Sequence, residues 1–179
     1  MKIGINTAFI MTFDVEAGLQ FCTDLGIRVA KVPTCEIAFN NKFCQLDRVL
    51  SNEGELHRWQ DTYARHGIKV VSLSAHGAPL TPDKAIAVEY RRQFRLVCEF
   101  AERMDVKKMT LIAGTPEGTE GDSCPVWITQ QVEVPFYRKV LEWQWEKRLI
   151  PYWKEQAKIA ADHGVTLCFE NQVGDMLHS

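Results

Sequence analysis

The sequence predicts an α/β fold built on a parallel sheet, and two observations carry that prediction. Short apolar segments alternate with longer segments whose apolar residues have helical spacing, which gives five strands and four helical crossovers. Three helical segments also end on a glycine that an apolar strand follows at once, at Gly26, Gly67 and Gly164. Strict alternation of strand and helix is typical of a parallel sheet with right-handed crossovers.

The five predicted strands are residues 2–6, 27–32, 68–75, 108–113 and 165–170. The last strand is the most informative, because it is mostly apolar and ends on a carboxylate, Glu170. A strand of this composition is expected to be buried on both faces, as strands in parallel sheets are.

The predicted helices begin after Asp14, after Ser51 or Asn52, and after Asp83, and a last helical region covers residues 136–163. In the third helix, which extends to about Met104, Tyr90 is expected on the inward face. Pro151 lies inside the last helical pattern, which predicts a kink or two helices that meet at Ile150.

Three loops follow the carboxyl ends of predicted strands. Residues 34–50 have no clear period, residues 76–83 are rich in turn-forming residues, and residues 114–135 are rich in Gly, Pro and Thr. Long loops in compact domains tend to carry function, so these segments are candidate walls of a site.

Composition narrows the class of protein. The 179 residues are 46% hydrophobic and carry a net charge of −2, without a basic patch that would favour nucleic acid. No apolar run reaches transmembrane length, and the first residues run directly into a strand-like segment, so neither a membrane span nor a signal peptide is expected.

The six cysteines form no C-x-x-C pair, which disfavours a disulfide framework and predicts a cytoplasmic protein. Cys22, Cys98 and Cys168 are expected to be buried thiols.

Glu170 is the first candidate for a functional residue. The carboxyl ends of strands in parallel α/β proteins are where ligands bind. A carboxylate at that position needs a partner, which a divalent cation or an ordinary salt bridge could supply. The residues by themselves leave both readings open, and they also leave open whether the sheet is a doubly wound open sheet or a barrel. No nucleotide-binding glycine motif is present, which removes the usual support for the open sheet.

Several segments together resemble the amino-terminal part of the xylose isomerase-like barrels, the sugar phosphate isomerase/epimerase group. The resemblance covers nearly the whole chain. It rests on residues 2–5, residues 74–83, Gly114, residues 141–155 and the Phe169-Glu170 pair. It implies an α/β fold of the (β/α)8 TIM barrel type, of which this chain covers about the first five strands and four helical crossovers. Residues 1–179 would then form a single domain, an incomplete barrel.

The resemblance also implies a metal-dependent sugar isomerase or epimerase that removes a proton next to a carbonyl. One divalent cation, Mn²⁺ or Mg²⁺ first and Zn²⁺ or Co²⁺ as alternatives, would be held by Glu, Asp, His and Glu from four successive strands. Glu170 matches the first ligand and is also the expected acid/base, and the other three would lie beyond Ser179. Close relatives tend to have His-Pro after this Glu, whereas Gln172-Val173 stands here, which points to a different substrate.

Four further residues are candidates for binding a sugar or polyol substrate. His76 follows the third strand and is expected to touch the substrate and to assist catalysis, although a hydrogen bond to its own loop is the competing reading. Asn6 lies at the end of the first strand and Glu36 at the end of the second, with a capping role as the alternative for Asn6. Trp127 lies in the long loop after the fourth strand and could close over a sugar face.

Three other functions compete with the isomerase. A metal-dependent dehydratase of a cyclic polyol ketone would use the same barrel and the same proton abstraction. An endonuclease IV-like phosphodiesterase needs several zinc ions and many His ligands, and five His with an acidic net charge disfavour it.

The third is a non-catalytic half-barrel that pairs with itself or a partner. The chain by itself is expected to be inactive and to leave an apolar inner face bare, which a homo-oligomer would cover. The bare face is expected to include Val70, Val71, Leu111, Leu167 and neighbouring residues.

Overall fold

A computed structural model describes residues 3–35, 42–128 and 134–177 of the chain. Its centre is a parallel sheet of five strands whose spatial order is their order in the sequence, β1-β2-β3-β4-β5, so the predicted fold class is confirmed. The strands are β1 (Ile5–Asn6), β2 (Val29–Pro33), β3 (Lys69–Ser74), β4 (Lys108–Leu111) and β5 (Thr166–Phe169).

Helices connect these strands and cover one face of the sheet. The α-helices are α1 (Val15–Asp24), α2 (Leu46–Val49), α3 (Glu53–Arg65), α4 (Lys84–Arg103), α5 (Pro135–Trp143) and α6 (Ile150–Asp162). A 3₁₀ turn, Thr7–Ile10, follows β1, and the short helix α2 lies in a loop for which the sequence showed no period.

The main core lies between the sheet and the helices. Ala30, Val32, Leu73, Met109 and Leu111 contribute the sheet side, and all are at most 1% exposed. Successive residues of a strand point to opposite faces of the sheet. The strand residues that alternate with these core residues therefore lie on the face turned away from the helices. That second face is where the site is built.

The glycines at the predicted helix–strand junctions have the expected left-handed backbone. Their φ angles are +74° at Gly26, +62° at Gly67 and +68° at Gly164, a region that costs a Cβ-bearing residue energy. The junction after α4 uses Asp105 instead, at φ +52°. Aspartate tolerates this conformation better than most residues. Because this junction has no glycine, the pattern of helix-ending glycines did not reveal it.

The last helical region is continuous but changes its winding. A π-helical segment, Gln144–Leu149, joins α5 to α6, and α6 begins at Ile150 with Pro151 in its first turn. The winding changes from π-helical to α-helical at Ile150, the residue at which a kink or the meeting of two helices is predicted. Pro151 follows directly, and because proline has no N–H group it cannot donate to the preceding turn.

The prediction of a bare apolar inner face is wrong for three of its four named residues. Leu111 is fully buried against the helices, and Val70 and Leu167 are partly buried against the same core. Only Val71 is exposed, at 43%, beside a register shift between Ala30 and Lys31. A bulge changes which side chain faces which side, and periodicity alone does not reveal it.

The expectation that the last strand is buried on both faces is also wrong for the described residues. Thr166 and Phe169 are exposed, and Cys168 is only partly buried, whereas Cys22 and Cys98 are buried as expected. Glu170, the residue that directly follows β5, lines the cavity described below. Within residues 3–35, 42–128 and 134–177, no helix has the length and hydropathy that a membrane crossing requires.

Candidate active site

A cavity of about 560 Å³ lies at the carboxyl ends of the strands. Its walls come from the segments that follow β1, β2, β3, β4 and β5, as expected where parallel strands end at one edge. The lining residues are Asn6, Ala8, Pro33, Cys35, Ser74, His76, Gly77, Ala78, Tyr90, Ile112, Glu170, Asn171 and Gln172.

Glu170 is positioned by the sheet itself. It directly follows β5, and its backbone N–H donates to the carbonyl of Leu111 at 2.8 Å, which extends the β4–β5 ladder by one residue. The side-chain oxygens have separate partners. Lys31 Nζ lies 2.5 Å from Oε1, and His76 Nε2 lies 3.0 Å from Oε2. The carboxylate is therefore oriented by two groups, one on β2 and one in the segment that follows β3.

Lys31 reaches Glu170 because the sheet is curved. Lys31 lies on β2 between the core residues Ala30 and Val32, so its side chain leaves the opposite face. Two strands separate β2 from β5, a distance of about 14 Å along a flat sheet at 4.8 Å per strand. Parallel side chains would not meet across that distance, and a concave face brings them together. The sequence signal for this residue was a single lysine inside an otherwise apolar strand.

His76 is held on its other side by Ser74. The Ser74 side chain is 3% exposed, and its Oγ is hydrogen bonded to His76 Nδ1. A neutral His76 that donates from Nε2 to the carboxylate accepts at Nδ1 from the Ser74 hydroxyl. Ser74, His76 and Glu170 therefore form one chain of hydrogen bonds along the cavity wall.

The pKa of Glu170 lies below its ordinary value. Partial burial raises it, but the hydrogen bond from Lys31 and the charges of His76 and Lys31 together outweigh burial. The group is thus held as a carboxylate at neutral pH, the form that binds cations and accepts protons.

The position of Asn6 agrees with both of its predicted roles, as a capping residue and as a residue of the cavity lining. Its Oδ1 accepts from the backbone N–H of Ala8 at 3.1 Å and caps the 3₁₀ turn, while the residue lines the cavity. The carboxamide NH₂ is the half of this side chain that could still donate to a ligand.

Tyr90 forms a wall that the sequence had assigned only to helix packing. Its ring lies so close to Gly77 that a Cβ there would be 2.3 Å from the ring, and both residues line the cavity. Burial, followed by the neighbouring Cys35, raises the pKa of the Tyr90 hydroxyl, so this hydroxyl stays protonated and can donate.

The segment after β5 is fastened to the loop after β4 by a buried aspartate. Asp175 is 2% exposed and accepts from the backbone N–H groups of Ala113 at 3.1 Å and Gly114 at 2.5 Å. Thr115 Oγ1 also donates to the carbonyl of Gly174 at 2.7 Å. These bonds hold the rim that carries Gln172.

The structure brings three of the predicted site residues, Glu170, His76 and Asn6, to one cavity. Trp127 is not among the residues that line this cavity, and Glu36 lies outside the described residues. Sequence reasoning missed Lys31, Ser74 and Tyr90, which reach the site from within strands or a helix.

The donor atoms present fit part of a site for a divalent cation. Glu170 supplies a carboxylate at the cavity, and His76 supplies an adjacent imidazole. In the described ranges, no group of three or more His, Cys, Asp or Glu side chains could hold a metal ion. Any complete ligand set would need further donors.

Comparison with known proteins agrees with this architecture. The sequence pattern of the xylose isomerase-like TIM barrel family matches residues 19–178. The uncharacterized protein YfiH of Bacillus subtilis (strain 168) is 27% identical over 181 residues, which cover 100% of this chain and 57% of YfiH.

Solved structures show the same fold. The IolI protein with a bound zinc atom superposes with a TM-score of 0.55 at 18% identity, over 99% of this chain and 54% of its own. The 3-keto-D-glucoside 4-epimerase YcjR from E. coli superposes with a TM-score of 0.57 at 12% identity, over 96% of this chain and 56% of its own. The chain thus spans about half the length of these relatives. With the family pattern matched over most of its residues, this chain belongs to the xylose isomerase-like TIM barrel family.

Proposed function

We propose that the protein containing this chain is a metal-dependent isomerase or epimerase of a sugar or sugar phosphate. The observation that carries the proposal is the carboxylate of Glu170, ionised and oriented at the carboxyl end of β5 within the 560 Å³ cavity. A cavity of this size suits a small polyhydroxylated molecule. The zinc atom of IolI and the epimerase activity named for YcjR belong to those proteins and support the proposal by analogy.

Glu170 would supply one oxygen ligand to a divalent cation, with Mn²⁺ or Mg²⁺ favoured by carboxylate chemistry and Zn²⁺ or Co²⁺ as alternatives. When bound, such a cation polarises a carbonyl and its neighbouring hydroxyl as a Lewis acid. The remaining ligands would come from residues outside those described.

This chain's own residues would handle the substrate and the proton. Glu170, held ionised, would accept the proton from the carbon next to the carbonyl. His76 fixes Glu170 Oε2 at 3.0 Å, and Ser74 fixes the His76 ring, so the base has one defined direction. Asn6 and Tyr90 would donate to substrate hydroxyl groups, and we retain His76 as a second substrate contact.

The chain alone is proposed to be inactive, because one carboxylate with one imidazole cannot fix a cation in a catalytic geometry. The proposed compartment is the cytoplasm, because the six cysteines form no C-x-x-C pair and their spacing does not indicate a disulfide framework.

The test uses the complete protein and the variant Glu170→Gln. We expect Mn²⁺ binding, followed by calorimetry, to be lost and solvent-deuterium incorporation into ketose substrates to fall roughly 10²–10⁴-fold. A panel of ketoses, ketose phosphates and cyclic polyol ketones separates isomerisation from water loss, which is the dehydratase outcome.

The matched control is Glu102→Gln. Glu102 also pairs with a histidine, His163, at 2.6 Å, but at an exposed position on the outer helices. This variant should keep wild-type turnover. Wild-type Mn²⁺ binding and exchange in Glu170→Gln would remove Glu170 from the proposed site.

A further inference from the structure

Both oxygens of Glu170 are already engaged by groups of the protein. Lys31 Nζ holds Oε1 at 2.5 Å, and His76 Nε2 holds Oε2 at 3.0 Å. The two Glu170 partners differ in kind, because the ammonium group of a lysine carries a full positive charge at neutral pH, whereas an imidazole is charged only when both of its nitrogens are protonated.

The Lys31 contact is a long-range one that the fold has to build. Lys31 and Glu170 are 139 residues apart and meet only because β2 and β5 line one concave face. The side chain of Lys31 is 22% exposed and that of Glu170 is 39% exposed, so water screens the pair only partly. Within the described ranges, Glu170 is the one ion-pair partner of Lys31.

We propose that Lys31 is a tethered competitor for the divalent cation at Glu170. In the metal-free protein the ammonium group of Lys31 is paired with the carboxylate of Glu170. When a cation binds, this ammonium group must either move away or remain beside a second positive charge. Lys31 therefore sets the metal affinity of the site. This inference rests on the proposed function, since it requires Glu170 to be a metal ligand.

The sign of the effect does not depend on which oxygen the cation takes. A cation held at Oε1 would take the place of the ammonium group. A cation held at Oε2 would take the place of the His76 hydrogen bond and would still share one carboxylate with the ammonium group, where like charges repel. Either geometry makes metal binding weaker with Lys31 than without its charge.

The test compares Mn²⁺ dissociation constants in the complete protein, read from the electron paramagnetic resonance signal of free Mn²⁺. Lys31→Met keeps the length of the aliphatic stem and removes the charge. We expect it to bind Mn²⁺ about tenfold more tightly, the size of a partly exposed ion pair plus charge repulsion.

Two variants control for charge and position. Lys31→Arg keeps the charge and should bind Mn²⁺ with close to wild-type affinity. Lys107→Met removes a lysine that pairs with Asp105 at the amino end of β4, outside the cavity, and should leave the affinity unchanged. Lys31→Gln repeats the measurement if Lys31→Met does not fold, as judged by circular dichroism.

The outcomes separate this inference from the proposed function. Unchanged or weaker Mn²⁺ binding in Lys31→Met, beside lost binding in Glu170→Gln, overturns the competitor role and leaves the metal site standing. Wild-type Mn²⁺ binding in Glu170→Gln overturns both. Tighter binding in Lys31→Met and lost binding in Glu170→Gln is the result that supports both.

Discussion

The contact between Gly77 and the Tyr90 ring makes the site sensitive to a single methyl group. A Cβ at Gly77 would lie 2.3 Å from Cδ1, 2.6 Å from Cε1 and 3.0 Å from Cγ of Tyr90. These distances are shorter than real carbon contacts, so Gly77→Ala must displace the ring or the loop. Gly77 is not among the glycines with positive φ, which means that the backbone itself would accept alanine.

The size of the effect follows from the packing of the ring. Tyr90 lines the cavity and, together with the buried residues Gln93 and Phe94 of its own helix, a second small pocket, so a methyl group at Gly77 would have to displace a ring that packs in the wall between them. Overpacking of this kind costs about 1–3 kcal/mol. We expect Gly77→Ala to lower the free energy of unfolding by that amount.

A double-mutant cycle in urea denaturation assigns the cost to the ring. Tyr90→Ala removes the clashing atoms, so Gly77→Ala should cost less than about 0.5 kcal/mol in that background. The coupling energy would then be about as large as the single-variant effect. An equal cost of Gly77→Ala in both backgrounds would refute the steric argument.

Two further predictions concern contacts that fasten the helices and the rim of the site. Arg92 donates to both oxygens of Asp47 at 2.7 and 2.8 Å and also pairs with Glu89, and its hydrogen bonds lower the pKa of both carboxyl groups. A depressed carboxyl pKa contributes stability that is fully present above the unfolded value near 4 and is lost as the pH falls through the lower folded value. Arg92→Met should therefore cost about 0.5–1 kcal/mol at pH 7 and progressively less as the pH falls below about 4; a cost in urea denaturation that stays the same down to acid pH would contradict this. Asp175→Ala should lower the unfolding free energy by about 3 kcal/mol, because it leaves the buried N–H groups of Ala113 and Gly114 without an acceptor. Asp175→Asn keeps an acceptor and should cost about half as much. Thermal melts that rank the two variants equally would argue against these hydrogen bonds.

The alternation of strands and helices and the end of the sheet at which the site lies followed from local patterns. Apolar strands, amphipathic helices and the glycines at 26, 67 and 164 each act within a few residues, so they can be read without the fold. Parallel topology then places every strand end at one edge. That is why Glu170, His76 and Asn6 could be expected to share a site before their contacts were known.

The exact ends of helices and strands, and the type of helical winding, could be predicted less well from the sequence. β1 is only two residues long, and the region after Trp143 is π-helical rather than α-helical. Gln144, at the start of that segment, is fully buried and donates to the carbonyls of Glu117 and Val126. The π-helical winding accompanies a contact with a loop that is distant in the sequence. A local sequence pattern contains no information about such a contact.

The sequence by itself determined the parallel α/β class and the carboxylate at the end of β5, because hydrophobic period and strand polarity are local properties. Only the tertiary structure decided that Lys31 would face Glu170, that Ser74 would hold His76 and that Tyr90 would form a cavity wall. The Lys31–Glu170 pair depends on sheet curvature, and a register shift between Ala30 and Lys31 lies directly beside it. Curvature and register arise from the packing of all strands together, so they select the partners of Glu170 from residues that no local pattern could have ranked.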